Sequence, residues 1–294
     1  GEIVLAMRAV SLNSADARIM RGDPLLVRLA LGLRRPRVAV QGRDVAGEVV
    51  SVGAGVTSAA VGDLVVGELA GGGLAPFVLT KANKVVPIPA GLDPAIAATL
   101  PLAGGTAWQA LDLAGVAAGS RVLVVGAGGG VGTFAVALAV HRGAVVTALA
   151  GERALDVVRA AGAADVLDYR RHPVLAPDSF DAIIDIAGST PLRELQGLLR
   201  PGGIVALVSG GTNRVTGPLG RMLRASIRSI GSQRRLKSLA AVAKPDITRQ
   251  LLELAAAGEI RPHIERSWPL SEAGAALTHI DAGHTIGKIV VVAE

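Results

Sequence analysis

Hydrophobic and polar positions alternate with different periods in different parts of the chain. The first part contains short β-branched runs broken by Gly and Pro, as in "GRDVAGEVVSVGAGVTSAAVGDLVVG" and "LAPFVLTKANKVVPIP". Such runs predict short strands joined by turns, which is typical of a β-rich, barrel-like domain. From about residue 99 to about residue 238, strand-like and helix-like segments alternate instead. This alternation predicts an α/β fold with a parallel, doubly wound sheet.

The predicted elements divide the chain into three segments. Strands of the alternating part are "RVLVV", "AVVTALA", "ADVLDY", "FDAIIDIAG" and "GIVALVSG", with helices between them that include 154–161 and 192–199. An amphipathic helix at "DITRQLLELAAAGEI" then precedes a helix capped by Ser271 and a last strand, "GKIVVVAE". The expected division is 1–98 for the first domain, 99–238 for the sheet domain, and 239–294 for a return to the first domain.

A glycine-rich turn follows the first strand of the sheet domain. Its residues are Gly126, Ala127, Gly128, Gly129, Gly130, Val131 and Gly132. The spacing A-x-G-x-x-G at Ala127, Gly129 and Gly132 is a variant of the dinucleotide fingerprint, in which small residues allow a tight turn, approach of the pyrophosphate and helix–strand contact. Glycines in the middle of the run argue against a membrane span, and apolar flanks argue against a flexible spacer. The segment predicts dinucleotide binding at a helix N-terminus.

Composition and charge narrow the class of protein further. Half of the residues are hydrophobic and 18% are charged, which excludes a disordered chain. The chain has no cysteine, and its five histidines lack the spacing of zinc motifs, so we expect no metal site. No basic run followed by an apolar stretch marks the N-terminus, so we expect a cytoplasmic protein. The net charge of +6 favours an anionic partner without identifying one.

Five stretches, in this order, carry a family resemblance: "NSADARIMRG", "GRDVAGEVVSVGAGV", "LPLAGGTAWQAL", "VVGAGGGVG" and "GKIVVVAE". With them the chain resembles the medium-chain dehydrogenase/reductase superfamily, and within it the zinc-free quinone oxidoreductase branch that includes zeta-crystallin. The resemblance spans essentially the whole chain. It implies a GroES-like substrate domain, a Rossmann-type dinucleotide-binding domain, a nicotinamide cofactor, a small electrophilic substrate and a homodimer.

The resemblance also bears on the chemistry. Zinc-dependent members carry Gly-His-Glu where this chain has Gly42, Arg43 and Asp44. An Arg stays protonated and cannot ligate a metal. We therefore expect zinc-free hydride transfer to a quinone or to a C=C bond conjugated with a carbonyl. The alternatives are an enoyl reductase acting on an acyl-CoA or acyl-carrier thioester, and an NADPH-binding or RNA-binding crystallin-like protein without turnover.

The residues after "AVVTALA", the second strand of the sheet domain, bear on whether the cofactor is NAD or NADP. An acidic residue there binds the ribose 2′-OH of NAD, whereas an Arg accommodates the 2′-phosphate of NADP. The chain has Gly151, Glu152 and Arg153 at this point, and the resemblance adds Tyr169 as a second phosphate contact. NADPH is therefore expected over NADH. Two features oppose this expectation: Glu152 repels a phosphate, and Arg153 can equally be a solvated charge at a helix start.

Further cofactor contacts follow from the resemblance alone. Thr106 and the turn formed by Ser209, Gly210 and Gly211 match the family's contacts near the nicotinamide, and Lys288 matches a residue close to the cofactor in relatives. Each has a simpler alternative. The turn can be an ordinary turn, and Lys288 a surface lysine at a strand start.

On the substrate side, Asn13, Ser14 and Asp16 match the family stretch that lines the substrate cleft. Ser14 stands where many relatives carry a proton-donating Tyr, and it is a poor acid. A quinone tolerates this because water protonates the hydroquinone anion. The alternative role for Asn13 and Asp16 is helix capping.

A basic segment extends from residue 214 to residue 249, with Asp246 as its single acid. Its cations are Arg214, Arg221, Arg224, Arg228, Arg234, Arg235, Lys237, Lys244 and Arg249. Apolar residues at near-helical spacing within it predict an amphipathic helix. The segment can be a solvated face with a subunit contact, or a patch that holds the phosphates of a CoA- or carrier-linked substrate. Nucleic-acid or membrane-surface binding is disfavoured by the scarcity of aromatic residues.

Overall fold

The computed structural model describes residues 1–34, 38–209, 215 and 217–294. The chain forms two compact units, Gly1–Gly105 with Ala243–Glu294, and Thr106–Val242. Both changes of unit lie a few residues later in the chain than residues 98 and 238, where the sequence placed them. The first unit is β-rich and the second is a parallel α/β unit, so the predicted fold class is confirmed.

Strands are numbered in chain order. The described residues contain β1 Glu2–Leu12, β2 Asp44–Val52, β3 Leu64–Glu68, β4 Phe77–Lys81, β5 Val86–Pro87, β6 Arg121–Val125, β7 Val145–Ala150, β8 Asp165–Asp168, β9 Phe180–Asp185, β10 Leu199–Leu207, β11 Arg235–Ser238, β12 Ile264–Pro269 and β13 Lys288–Val292.

Helices are numbered in the same way. They are α1 Ser14–Arg21, α2 Arg28–Leu31, α3 Pro94–Ala98, α4 Gly105–Ala114, α5 Gly130–His141, α6 Leu155–Ala160, α7 Leu192–Leu198, α8 Leu219–Ser229, α9 Pro245–Ala256 and α10 Ala273–Asp281. A π-helical turn, Leu100–Gly104, joins α3 to α4, and short 3₁₀ turns include Glu152–Ala154 and Tyr169–Arg171.

The sheet of the first unit has the strand order β12-β13-β1-β2-β3-β5, with β4 also paired to β1. Its central strand, β1, pairs antiparallel with β2, β4 and β13. Strand β13 is the last strand of the chain, and its pairing with β1 makes it part of the sheet of the first unit. The side chains of Leu5, Leu12 and Ile289 are fully buried in the core on which these strands pack.

The sheet of the second unit has the order β8-β7-β6-β9-β10-β11, and its neighbours pair in parallel. Counted along the chain, this is the order 3-2-1-4-5-6 of dinucleotide-binding sheets. The order reverses between β6 and β9. Ligands of such sheets bind at the carboxyl ends of the strands on either side of this reversal.

The start of α10 differs from the predicted one. The helix predicted to start with a Ser cap begins later, at Ala273, and Glu272 occupies the N-cap position. The predicted cap is wrong because Ser271 lies within the 3₁₀ turn Leu270–Glu272, where its backbone N–H and hydroxyl donate to the carboxylate of Glu294, the N–H at 3.1 Å. Among the described residues, no helix is long and apolar enough to cross a bilayer.

Candidate active site

The turn after β6 is held by backbone contacts that require glycine at its first position. Gly126 has φ +86, a conformation that side chains disfavour. The N–H groups of Gly126 and Ala127 both donate to the carbonyl of Leu149, at 3.1 and 2.9 Å. A Cβ on Gly126 would lie 2.9 Å from the backbone N of Ala187, which follows β9. The turn therefore sits at the reversal of strand order, between the ends of β6 and β9.

Two further glycines in the turn are required by packing, and one is not. A Cβ on Gly132 would lie 2.2 Å from the carbonyl O of Gly126, and one on Gly128 would lie 2.5 Å from the Cβ of Ala154. A Cβ on Gly129 meets no protein atom closer than the carbonyl O of Gly126, at 3.9 Å. Gly129 thus keeps open a space that the protein itself does not fill.

This space lies at the N-terminus of α5. Gly129 is the N-cap residue of the helix and offers no side-chain acceptor. The N–H groups of a first helical turn, here those of Gly130, Val131 and Gly132, have no acceptor within the helix. Free amides and the helix dipole together favour an anion at this position. The residues present therefore fit the diphosphate of a dinucleotide.

The residues predicted to bind a 2′-phosphate follow β7 and β8. Gly151 lies against Tyr169, because a Cβ on Gly151 would be 3.4 Å from Cε1 of the Tyr169 ring. The Tyr169 side chain is half exposed, and the guanidinium of Arg170 lies 5.5 Å from the centre of its ring. Arg153 is exposed in the 3₁₀ turn Glu152–Ala154, whose Ala154 adjoins Gly128. Gly151 therefore lies beside Tyr169, and the 3₁₀ turn that contains Arg153 adjoins the glycine-rich turn through Ala154.

Residues predicted near the nicotinamide are only partly described. Ser209 follows β10, and its hydroxyl donates to the carbonyl O of Ile186. Gly210 and Gly211 lie outside the described residues. Thr106 is half-buried in the first turn of α4, directly after the π-helical turn. π-Helical turns of this kind are frequent at functional sites.

A buried acid that the sequence analysis missed ends β9. Asp185 accepts the N–H of Gly188 at 3.0 Å and an N–H of the Arg221 guanidinium at 2.6 Å. Burial raises the pKa of its carboxyl, against the opposing effects of the Gly188 hydrogen bond and of Arg221. The signal in the sequence is an acid that closes the apolar run "AIID".

The first unit contains a second buried polar cluster, around Asn13. The Lys288 ammonium donates to Asn13 Oδ1 at 2.5 Å and to the carbonyl O of Leu12 at 3.0 Å. The Asn13 amide donates to Asp44 Oδ2 at 2.9 Å and to the carbonyl O of Ser11 at 3.4 Å. Lys288 is 2% exposed, so the alternative of a surface lysine is wrong.

Asp16 belongs to the same cluster but binds only backbone. Its carboxylate accepts the N–H of Asn13 at 2.8 Å and the N–H of Gly42 at 3.2 Å. The first of these bonds caps α1, so the capping alternative is realised for Asp16, while the side chain of Asn13 turns to Asp44 and Lys288. Ser14, the first residue of α1, is exposed.

Burial controls the ionisation of this cluster. It raises the pKa of Asp44 to about 7, although Lys288 and the Asn13 hydrogen bond act in the opposite direction. Burial also raises the pKa of Asp16 and lowers the pKa of the Lys288 ammonium. Asp44 is the second acid that the sequence analysis did not assign. Its signal is a charge at the start of the apolar strand "DVAGEVV".

The basic segment is less accessible than its composition suggests. Its predicted amphipathic helix is confirmed as α8, in which Ala225 is buried and Leu223 and Ile227 are exposed. Arg214 lies outside the described residues. Several of the other cations are paired within the chain: Arg221 with Asp185, Arg228 with Gln196, Arg234 with Asp178, and Arg249 with Asp246. Arg221 is therefore not a free contact for a phosphate, because its guanidinium neutralises a buried acid.

Arg43 stands where zinc-dependent relatives carry a histidine. Its guanidinium donates to the Glu68 carboxylate at 2.8 Å and to the carbonyl O of Leu69 at 3.3 Å. Within the described part of the chain, no group of three or more His, Asp or Glu residues is placed to hold a metal ion.

Comparisons with known proteins agree with this architecture. A family model described as an alcohol dehydrogenase GroES-like domain matches residues 1–90, and one described as a zinc-binding dehydrogenase matches residues 161–291. The chloroplast envelope quinone oxidoreductase homolog of Arabidopsis thaliana is 34% identical over 305 residues, which cover 99% of this chain and 89% of the relative. The mitochondrial NAD(P)H oxidoreductase RTN4IP1 of Bos taurus is 32% identical over 326 residues, covering 99% and 81%.

A solved structure supports the same assignment. The structure of the quinone oxidoreductase from Coxiella burnetii superimposes with a TM-score of 0.87 and 28% identity, covering 100% of this chain and 90% of the other. A GroES-like unit together with a sheet in dinucleotide strand order defines a medium-chain dehydrogenase/reductase. The 34% identity with the Arabidopsis quinone oxidoreductase homolog, across nearly the whole chain, then identifies the family within this superfamily. The chain belongs to the quinone oxidoreductase family of that superfamily.

Proposed function

We propose that this protein is an NADPH-dependent reductase that transfers hydride, without zinc, to a quinone or to an α,β-unsaturated carbonyl compound. The observation that carries the proposal is the open space at Gly129, in a turn whose other constrained glycines are required by the fold itself. Relatives named quinone oxidoreductase and NAD(P)H oxidoreductase support the same chemistry.

The glycine-rich turn would hold the cofactor by its diphosphate. Residues 126–132 supply backbone amides, and Gly129 supplies the room. Arg153 and Tyr169 follow neighbouring parallel strands, so they reach the same edge of the sheet and would contact a 2′-phosphate. A cationic guanidinium and a phenol are both suitable hydrogen-bond donors to a phosphate. This pairing favours NADPH, with Glu152 as the opposing charge.

The remaining residues would orient the reacting groups. When bound, the nicotinamide supplies the hydride. Thr106, Ser209, Gly210, Gly211 and Lys288 are the nicotinamide-side residues proposed from the family pattern.

Asn13 would orient the acceptor by its side-chain amide. One amide hydrogen is engaged by Asp44 at 2.9 Å, whereas the bond to the Ser11 carbonyl is long, at 3.4 Å. A substrate carbonyl would therefore replace the Ser11 carbonyl as the acceptor of the second amide hydrogen. A quinone needs no protein acid, because water protonates the hydroquinone anion after hydride addition. For an enone, the proton comes from water or from the exposed hydroxyl of Ser14.

The homodimer and the cytoplasmic location expected from the sequence stay predictions. The relatives compared above are named as chloroplast envelope and mitochondrial proteins.

The test is oxidation of saturating NADPH, followed by its absorbance, with quinones, enones and enoyl thioesters as acceptors. We expect turnover with quinones or enones. Turnover confined to thioesters would replace the proposal with an enoyl reductase. Tight NADPH binding with no turnover of any acceptor would contradict it in favour of a cofactor-binding protein.

A further inference from the structure

The carboxamide of Asn13 connects a buried ammonium to a buried carboxylate. Lys288 donates to its oxygen at 2.5 Å, and its nitrogen donates to Asp44 Oδ2 at 2.9 Å. Lys288 is 2% exposed and Asp44 is 0% exposed, so water does not compete for either contact. The three side chains form one chain of hydrogen bonds that all run in the same direction.

Both ends of this chain are anchored on the backbone. Lys288 also donates to the carbonyl O of Leu12, at 3.0 Å. Asp44 Oδ1 accepts the N–H of Leu102, at 3.1 Å, from the π-helical turn. Because each end has a second fixed partner, neither end can turn away from Asn13 without losing a buried hydrogen bond.

This arrangement determines which way the amide points. An ammonium has donors only, and an ionised carboxylate, the form that Asp44 takes above its pKa of about 7, has acceptors only. If the Asn13 amide turned over, its nitrogen would face the ammonium and its oxygen would face the carboxylate. Both contacts would then be unfavourable and buried, which is costly for charged groups.

We propose that Lys288 and Asp44 are positioning residues that lock the Asn13 carboxamide in a single orientation, so that the amide hydrogen in the long bond to the Ser11 carbonyl, at 3.4 Å, is the one that the carbonyl of the hydride acceptor takes over. The inference rests on the proposed function, because it takes Asn13 to contact the substrate. It also gives Lys288 a role different from the cofactor contact expected from the family pattern.

The first test compares two neutral replacements of Lys288. Lys288→Met removes charge and donor, whereas Lys288→Gln removes the charge but keeps an N–H donor. We expect kcat to fall on the order of 100-fold for the Met variant, the cost typical of a misplaced reacting group. The Gln variant should recover about tenfold of this loss. Equal losses for the two variants, or wild-type kcat in a folded Met variant, would overturn the proposal.

The second test separates orientation from charge. Asp44→Asn leaves one acceptor oxygen for two donors, the Asn13 amide and the N–H of Leu102, so one of these buried hydrogen bonds is lost. The variant should lower kcat to a similar extent. Glu68→Gln is the matched control, because Glu68 is a nearby carboxylate that pairs with Arg43 and not with Asn13. We expect the control to keep kcat within about twofold, the range of substitutions that leave reacting groups in place. A loss in the control as large as in Asp44→Asn would contradict positioning.

A double-mutant cycle tests whether Lys288 acts through Asn13. In an Asn13→Ala background, Lys288→Met should cause no further loss of kcat, because the group it positions is gone. Additive losses would overturn the proposal. The affinity for NADPH, measured by titration, should stay unchanged in Lys288→Met. A loss of NADPH affinity with unchanged kcat would instead make Lys288 a cofactor contact.

One readout does not require turnover. In wild type the side-chain amide protons of Asn13 should exchange slowly with solvent, as followed by NMR, and Asp44→Asn or Lys288→Gln should accelerate the exchange. If wild type turns over no acceptor but shows slow exchange, the proposed function fails while the locked orientation stands. Rapid exchange in wild type would overturn the locked orientation itself.

Discussion

Arg221 forms an ion pair with the fully buried carboxylate of Asp185, at 2.6 Å. The same guanidinium donates to the carbonyl O of Thr190 at 2.8 Å, and the Arg221 side chain is only 14% exposed. The pair ties α8 to the end of β9, next to the reversal of strand order at which a dinucleotide is expected. A cation that composition assigns to a basic surface is thus a structural partner of the sheet.

Replacing Arg221 by Ala should therefore destabilise the fold strongly. The change leaves Asp185 buried without its counter-charge, at a cost of about 3–5 kcal/mol. Arg224→Ala is the control, because Arg224 is an exposed cation of the same helix. Urea unfolding at neutral pH measures both. If the two variants unfold at the same urea concentration, the ion pair between Arg221 and Asp185 contributes nothing to the stability of the fold. Loss of activity in Arg221→Ala alone does not indicate a carrier-linked substrate.

Gly129→Ala should weaken NADPH binding without affecting the fold. The added Cβ has no protein atom within 3.9 Å, yet it enters the space assigned to the diphosphate. We expect the Kd for NADPH to rise by about tenfold or more, equivalent to about 1.4 kcal/mol. Gly197→Ala is the control, since a Cβ there also meets nothing within 4 Å. Unchanged NADPH affinity in Gly129→Ala would remove the main support for the cofactor site.

Gly132→Ala should instead destabilise the second unit. Its Cβ would lie 2.2 Å from the carbonyl O of Gly126, which is backbone and cannot move aside alone. Overpacking of this kind costs about 1–3 kcal/mol. Thermal unfolding compared with Gly129→Ala measures the difference. An unfolding temperature equal to that of wild type would show that α5 does not pack as closely on β6 as described.

Arg153→Ala should distinguish the two cofactors. Loss of a charge-assisted contact to the 2′-phosphate should raise the Kd for NADPH by about tenfold and leave the Kd for NADH unchanged. Arg159→Ala is a suitable control, because Arg159 is an exposed cation of the same unit that pairs with Asp156 at 2.6 Å. Fluorescence titration with both cofactors is sufficient. Equal losses for NADPH and NADH would refute the phosphate role of Arg153.

The stability of the protein should fall as the pH rises towards neutrality. Burial raises the pKa of Asp44 from 3.8 to about 7, with Glu68 and Asp16 adding to the rise and Lys288 and Asn13 opposing it. The folded chain therefore holds a proton that the unfolded chain has released between about pH 4 and about pH 7. The stabilisation by this group is complete below the unfolded pKa and is lost as the pH passes the folded pKa.

Urea unfolding of wild type and Asp44→Asn across this range tests the sign. The wild type should lose stability with rising pH more steeply than the variant, which has no carboxyl to titrate at this position. Parallel curves for the two proteins would show that Asp44 has the same pKa in the folded and unfolded chain.

Much of the architecture was predictable because it is encoded locally. Most strands follow from runs of β-branched residues, and the glycine-rich turn follows from its spacing. Strand β11, Arg235–Ser238, contains no β-branched residue and was not predicted. The predicted cap at Ser271 is wrong because Ser271 lies within a 3₁₀ turn, in which its hydroxyl and N–H bind Glu294, 23 residues further along the chain. Local chemistry fails where a distant partner competes for the same hydrogen bonds.

The sequence by itself determined the order of elements, the class of fold and the position of the glycine-rich turn. Hydrophobic periodicity and the conformational freedom of glycine depend only on residues that are close together in the chain. Only the tertiary structure decided which charges are buried and with what partner. Asn13 and Lys288 meet across 275 residues, and Arg221 reaches Asp185 across 36. Such contacts form when packing removes both partners from water, and the local sequence pattern around a charged residue does not identify its partner.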